Sequence, residues 1–182
     1  MSALLRVEQA ALVRGGRLLF EGLELTLAAG EAAQVTGPNG SGKSSLIRMV
    51  AGLLRPSAGR IERAGIALAD TGLALDRELP LGRALRFWGG PRLREAVEAF
   101  DLDRLSDVPV RLLSTGQAQR ARLARVMASD APVWLLDEPQ SGLDHDGAAR
   151  LDAAIAEHRQ NGGAVLAASH VALAGQWREV AL

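Results

Sequence analysis

The chain has 182 residues, and its 21 acidic and 21 basic side chains cancel. That balance leaves no basic excess for a nucleic-acid partner, and with no cysteine there are neither disulfides nor thiolate metal sites. The N-terminal MSALLRVEQAALVRGG is broken by Arg6, Glu8 and Gln9, so it lacks a signal peptide's apolar core, and no run approaches the roughly 18 apolar residues of a membrane span.

The first thirty residues alternate with period two. LLRVEQ, RLLF and LELTL, bounded by Gly15-Gly16, Gly22 and Gly30, predict antiparallel strands. AAQVT (32–36) predicts a short buried strand. KSSLIRMVAGLL then places Leu46, Ile47, Val50 and Leu54 on one helical face, with Gly52 a weak point near its end. Arg55-Pro56-Ser57 marks a turn, and GRIER and GIALA are expected as two more strands. PRLREAVEAF predicts a helix opening at Pro91, with Leu93, Val97 and Phe100 at helical spacing. A helix is expected from Ser114 to about Met127, then PVWLLD as a buried strand. HDGAARLDAAIAEHR is read as a helix with Leu151 and Ile155 inward, stopped by Gly162-Gly163. AVLAAS is the last core strand and REVAL an edge strand. Strands alternating with helices imply a mostly parallel sheet flanked by helices, and the length favours one domain.

GPNGSGKSS (37–45) holds the only lysine of the chain, Lys43. It fits G-x-x-x-x-G-K-[ST] between a predicted strand and a predicted helix. The candidate nucleotide-binding residues are Gly37, Pro38, Asn39, Gly40, Ser41, Gly42, Lys43, Ser44 and Ser45. Glycines let the loop turn tightly and aim successive N–H groups at phosphate oxygens, and the helix start adds partial positive charge. Lys43 brings a compact cation to the β and γ phosphates, where an arginine fork is bulkier. The Ser44 hydroxyl is a candidate Mg²⁺ ligand. VWLLDEP (133–139) ends its strand in Asp137 and Glu138. Beside the phosphate loop, Asp137 is the candidate carboxylate for Mg²⁺, and Glu138 is placed to activate an attacking water. Without the loop, such a pair reads equally well as solvated acids.

LSTGQ (113–117) precedes a helix, SGLD (141–144) follows Glu138, and AASH ends at His170. With the phosphate loop and LLDEP, this order resembles the ATP-binding cassette (ABC) ATPases over nearly the whole chain. The resemblance implies a P-loop α/β fold with an N-terminal antiparallel β subdomain, a mostly parallel core sheet and a small helical subdomain inserted at about 75–128 of a single 1–182 domain. It implies a head-to-tail homodimer. Ser114, Thr115, Gly116 and Gln117 of one subunit would close over ATP held by the other, although Ser114 fits a plain helix cap as well. By the same resemblance Glu138 is the general base, His170 contacts the γ phosphate and Asp144 links the two sites.

Two positions depart from the family pattern. The adenine-stacking aromatic falls near Arg14, whose guanidinium plane is the candidate replacement. No Gln lies between Lys43 and Ser114; the corresponding stretch is Ala69–Asp70–Thr71, with Asp70 a candidate stand-in. That interval is short, at 114 − 43 = 71 residues. The small helical region with ALRFW (84–88), together with VWLLDEP and HRQNGGAVLAASH, is similar to the ATP-binding subunit of the haem exporter in cytochrome c maturation (CcmA type). That implies integral membrane permease partners, haem-handling proteins and a peripheral place on the cytoplasmic face of the inner membrane. The alternatives are a soluble ABC-type ATPase of metal-cofactor assembly, the ATPase subunit of another small-substrate transporter, and a non-hydrolysing nucleotide-dependent module. Phe87 and Trp88 are expected to pack the helical subdomain, with a partner groove as the alternative. His145 and His158 are expected in solvated roles.

Overall fold

The structure, a computed structural model, describes residues 3–72 and 74–182. Met1 and Ser2 of the N-terminal stretch lie outside the described residues. The chain opens with two long strands, β1 (Ala3–Arg14) and β2 (Arg17–Ala28), joined at Gly15-Gly16 with φ of 58° and 76°. A tight hairpin needs positive φ at both central residues, which glycine supplies without a Cβ clash. The expected break at Gly22 does not occur, and RLLF and LELTL are one strand. The β1–β2 register slips between the Val7–Leu25, Ala10–Leu23 and Leu12–Phe20 pairs, and Gly22 (φ 63°) sits at these bulges. β4 (Ala58–Arg63) completes this antiparallel sheet in the order β2-β1-β4.

The core sheet has five parallel strands in the order β5-β6-β7-β3-β8. They are β3 (Ala32–Thr36), β5 (Ile66–Ala69), β6 (Val133–Asp137), β7 (Ala164–Ala168) and β8 (Arg178–Ala181). Helices α1 (Lys43–Val50), α2 (Leu81–Trp88), α3 (Leu93–Ala99), α4 (Thr115–Ala128) and α5 (His145–Gln160) connect or flank them. Helix α1 ends sooner than its apolar face predicts, with Gly52 at φ 81° and Leu54 beyond the end. Helix α3 begins at Leu93, after Pro91 rather than on it.

Both faces of the sheet are covered, as the unbroken apolar runs of β6 and β7 require. Alternate residues of β6 serve different cores. Val133 and Leu135 pack with Leu46 and Ile47 of α1 and with Leu5 and Val7 of the ribbon. Trp134 and Leu136 pack with Leu123 and Met127 of α4 and Leu151 and Ile155 of α5. Parallel pairing brings the C-terminal ends of β3, β6 and β7 to one edge, where open α/β sheets bind ligands. Among the described residues, no helix is long and apolar enough to cross a membrane.

One histidine reverses its expectation. His158 is 7% exposed, its ring stacked on Trp134 with centroids 4.0 Å apart and planes 10° apart. Leu151, Ile155 and His158 lie on one face of α5, so the residue is core. Burial holds its pKa below the ordinary value of 6.5. The folded chain thus keeps this ring neutral, while the unfolded chain protonates it near 6.5. Stability is expected to fall as pH drops below about 6.5. Urea unfolding midpoints between pH 7.5 and 5.5 test this, and His158→Phe should flatten the trend. An unchanged slope in that variant assigns the acid sensitivity elsewhere.

Candidate active site

The phosphate loop joins the end of β3 to the start of α1. Gly37 has φ 139°, and a Cβ there would lie 2.5 Å from the Leu182 carbonyl oxygen, so no other residue fits unchanged. Gly42 has φ 112°, and a Cβ there would press on Leu19 and Phe20 at 3.2–3.4 Å. Lys43 is 8% exposed, and its ammonium donates to the carbonyls of Gly37 (2.8 Å) and Pro38 (3.1 Å). The cation is therefore folded back across the loop it serves. Asn39, Gly40, Gly42, Lys43, Ser44 and Ser45 line one cavity of about 360 Å³ with Arg14, Leu19 and Glu138. Ser41 does not line it; its amide donates to the Pro38 carbonyl at 3.2 Å, and its buried hydroxyl has no partner among the described residues.

Asp137 is the last residue of β6, paired in register with Ala168 of β7. Its Oδ1 accepts from the Ser44 hydroxyl at 2.9 Å, while its buried Oδ2 has no partner among the described residues. Burial raises its pKa, against the Ser44 hydrogen bond and the nearby Arg48 charge. A buried carboxylate with one satisfied oxygen, bonded to a hydroxyl on the phosphate loop, fits a hard divalent cation that takes oxygen ligands. Among the described residues there is no group of three or more His, Cys, Asp or Glu side chains to cage a metal.

Glu138 has φ 50°, left-handed backbone that costs a non-glycine residue about 1–3 kcal/mol. Glu138 is a lining residue of the phosphate-loop cavity. Its amide donates to the Ala168 carbonyl at 2.8 Å. One carboxylate oxygen lies 2.6 Å from Nδ1 of His170, which stands just past β7. The His170 side chain is 65% exposed, so it is not a core residue. Sequence elements more than 120 residues apart thus converge, with Lys43, Ser44, Asp137, Glu138 and His170 at one sheet edge.

The signature residues do not line this cavity, although Thr115 lines a second cavity that also holds Asp137 and Glu138. Ser114 caps α4: its hydroxyl accepts from the Gln117 amide at 3.3 Å, and the Gln117 side chain accepts from the Ser114 amide at 2.9 Å. A Cβ on Gly116 would come 2.8 Å from the Gly142 carbonyl, so LSTGQ and SGLD are packed together. Asp144 caps α5, accepting from the Gly147 amide at 2.8 Å. Arg14 lines the phosphate-loop cavity and donates to the Ser45 hydroxyl at 3.4 Å. Asp70 lies 3.7 Å from Arg48 and accepts from the Gly72 amide at 3.0 Å. The packing role expected of Phe87 fails, since it is 81% exposed. Trp88 is half-exposed, donates to the Ala74 carbonyl at 2.7 Å and carries the Arg125 guanidinium 4.7 Å from its ring centre. Leu19 and Gln119 were not singled out by sequence, for no local motif marks either.

A phosphate loop after a buried strand, a second strand ending in paired acids and a third leading to a histidine define a nucleotide-hydrolysing P-loop protein. Residues 20–141 match the ABC transporter family. The cytochrome c biogenesis ATP-binding export protein CcmA of Sphingopyxis alaskensis is 58% identical over 181 residues, covering 96% of this chain and 93% of its own. Its namesake in Zymomonas mobilis is 49% identical, covering 94% and 80%. A solved ATP-binding subunit of an ABC transporter shares the fold, with a TM-score of 0.84 at 24% identity over 92% of this chain and 80% of that one. The chain belongs to the ABC transporter ATP-binding family and, within it, to the CcmA group of cytochrome c biogenesis export proteins. It is an ABC transporter ATPase, the ATP-using subunit of a complex with membrane permease components.

Proposed function

We propose that this chain drives haem delivery in cytochrome c maturation as a Mg²⁺-dependent ATPase on the cytoplasmic face of the inner membrane. It is peripheral, docked on integral permease subunits, and works beside haem-handling proteins. The chemistry rests on one observation, that Glu138 enters the cavity lined by Lys43 and Ser44. The cargo rests on the likeness to the cytochrome c biogenesis export proteins. Residues 1–182 act as a single domain, with 75–128 as its helical subdomain.

In this reading the loop amides from Gly37 to Ser45 cradle the phosphates, and Lys43 turns from the Gly37 and Pro38 carbonyls to the β and γ oxygens. Ser44 and Asp137 would hold Mg²⁺, which would supply charge neutralisation at the phosphate oxygens. Glu138 accepts the proton of the attacking water. His170, hydrogen-bonded to Glu138, orients that carboxylate and faces the γ phosphate. Among the described residues, no signature residue of the same chain lines the phosphate-loop cavity, and Thr115 alone of the four shares a cavity with Asp137 and Glu138. That supports a head-to-tail homodimer, in which Ser114–Gln117 of the partner subunit cover the nucleotide and Asp144 borders both sites.

Affinity capture of the chain from its native membranes tests the assignment, with peptide identification and a haem absorbance spectrum. Multi-span proteins and haem-handling factors are the expected companions. Recovery only from the soluble fraction, without them, would leave the ATPase chemistry standing and favour cofactor assembly instead.

A further inference from the structure

We infer that Gln119 and Arg122, on one face of α4, form a positioning pair that holds Glu138 in its left-handed conformation and ties it to the segment around Thr71. The inference rests on the reading of Glu138 as the base. Gln119 is 3% exposed, and its side-chain amide donates to the Pro139 carbonyl at 2.8 Å. Pro139 directly follows the strained residue. The Gln119 oxygen in turn accepts from Arg122 Nη1 at 2.5 Å, which fixes which way the amide points. Arg122 Nη2 reaches the Thr71 carbonyl at 3.4 Å. The far side of that segment is held by Arg48 of α1, 3.7 Å from Asp70 and 3.4 Å from the Thr71 hydroxyl.

Left-handed backbone at a glutamate persists only where its neighbours over-determine it. Before the side chain, the Glu138 amide is fixed to Ala168; after it, the Glu138 carbonyl accepts from the Ser141 amide at 3.1 Å, and the Pro139 carbonyl is fixed by Gln119. Gln119 is the only side chain in that set. It is also the link through which a displacement of the Thr71 segment reaches the base. Where this chain has no Gln between Lys43 and Ser114, the connection to the catalytic strand runs from a backbone carbonyl through an arginine and a buried glutamine of α4. A buried amide with both ends satisfied is costly to replace by a group that satisfies one.

Gln119→Leu keeps the volume and loses both hydrogen bonds. Gln119→Glu keeps the Arg122 contact but cannot donate to Pro139. Both are measured in the purified chain, with whatever subunits co-purify, beside Glu138→Gln. The expected result is a fall in kcat on the order of 10- to 100-fold with KM for ATP unchanged, because the phosphate loop is untouched. A merely structural Gln119 would lower the unfolding midpoint, leave kcat alone, and be rescued by Glu. Should Gln119→Leu not fold, Gln119→Glu and Arg122→Lys, whose ammonium cannot span both acceptors, carry the same kcat-against-KM test. Wild-type kcat in the folded Gln119 variants, with Glu138→Gln inactive, overturns the positioning pair alone. Wild-type kcat in Glu138→Gln overturns the base assignment on which it rests.

Discussion

Glu138→Gln is expected to lower ATP turnover roughly 10²–10⁴-fold while ATP still binds. The amide has the shape of the carboxylate but cannot take a proton from water. Nucleotide affinity should survive, because the phosphates are held by the loop from Gly37 to Ser45 and by Lys43, none of which the substitution touches. Single-turnover hydrolysis with an equilibrium binding curve separates the two quantities. Because bound ATP is then not consumed, the variant should also accumulate a dimer in saturating Mg-ATP, visible by size at micromolar protein. Equal turnover in the variant would remove Glu138 as the base. A strictly monomeric profile would count against a sandwich that forms without other subunits. The His170 contact at 2.6 Å gives a further handle, since the amide weakens it without moving the backbone.

The residues that sequence alone exposes are those whose chemistry is written in contiguous motifs. GPNGSGKSS is legible because backbone conformation, helix start and cation all fall within nine residues. Asp137 and Glu138 are legible once β6 is recognised as a buried strand, since its last residue must reach the sheet edge. The convergence of Lys43, Asp137 and His170 follows from parallel pairing of β3, β7 and β6, which a strand–helix alternation already implies. What periodicity concealed has local causes. Gly22 looks like a strand boundary, yet it sits where the β1–β2 register slips and the strand continues through a bulge. His158 looks polar, yet it completes the Leu151–Ile155 face, and that i, i+4, i+7 spacing was available to find it. Phe87 looks like core, yet α2 turns it outward beside a tryptophan anchored by Arg125. Gln119 carries no motif signal because its partner is a backbone carbonyl on another element, a contact only tertiary structure creates.

Lys43→Ala is expected to weaken ATP binding about 10- to 150-fold, the equivalent of one charged hydrogen-bonding group at about 1.5–3 kcal/mol. The lysine is buried, and its ammonium already sits among loop oxygens, so it comes to the phosphates largely desolvated and pre-positioned. Removing it takes away the only lysine of the chain and leaves the Gly37 and Pro38 carbonyls without that donor. Lys43→Arg should not restore affinity. A planar guanidinium needs more width than an ammonium, in a loop where even a Cβ added at Gly37 or Gly42 would meet Leu182, Leu19 or Phe20. Titration with a non-hydrolysable ATP analogue reads both variants. An isotherm for Lys43→Ala that matches the wild type would undo the phosphate-loop assignment. A fully active Lys43→Arg would show that charge alone, and not the compact ammonium, is what this loop requires.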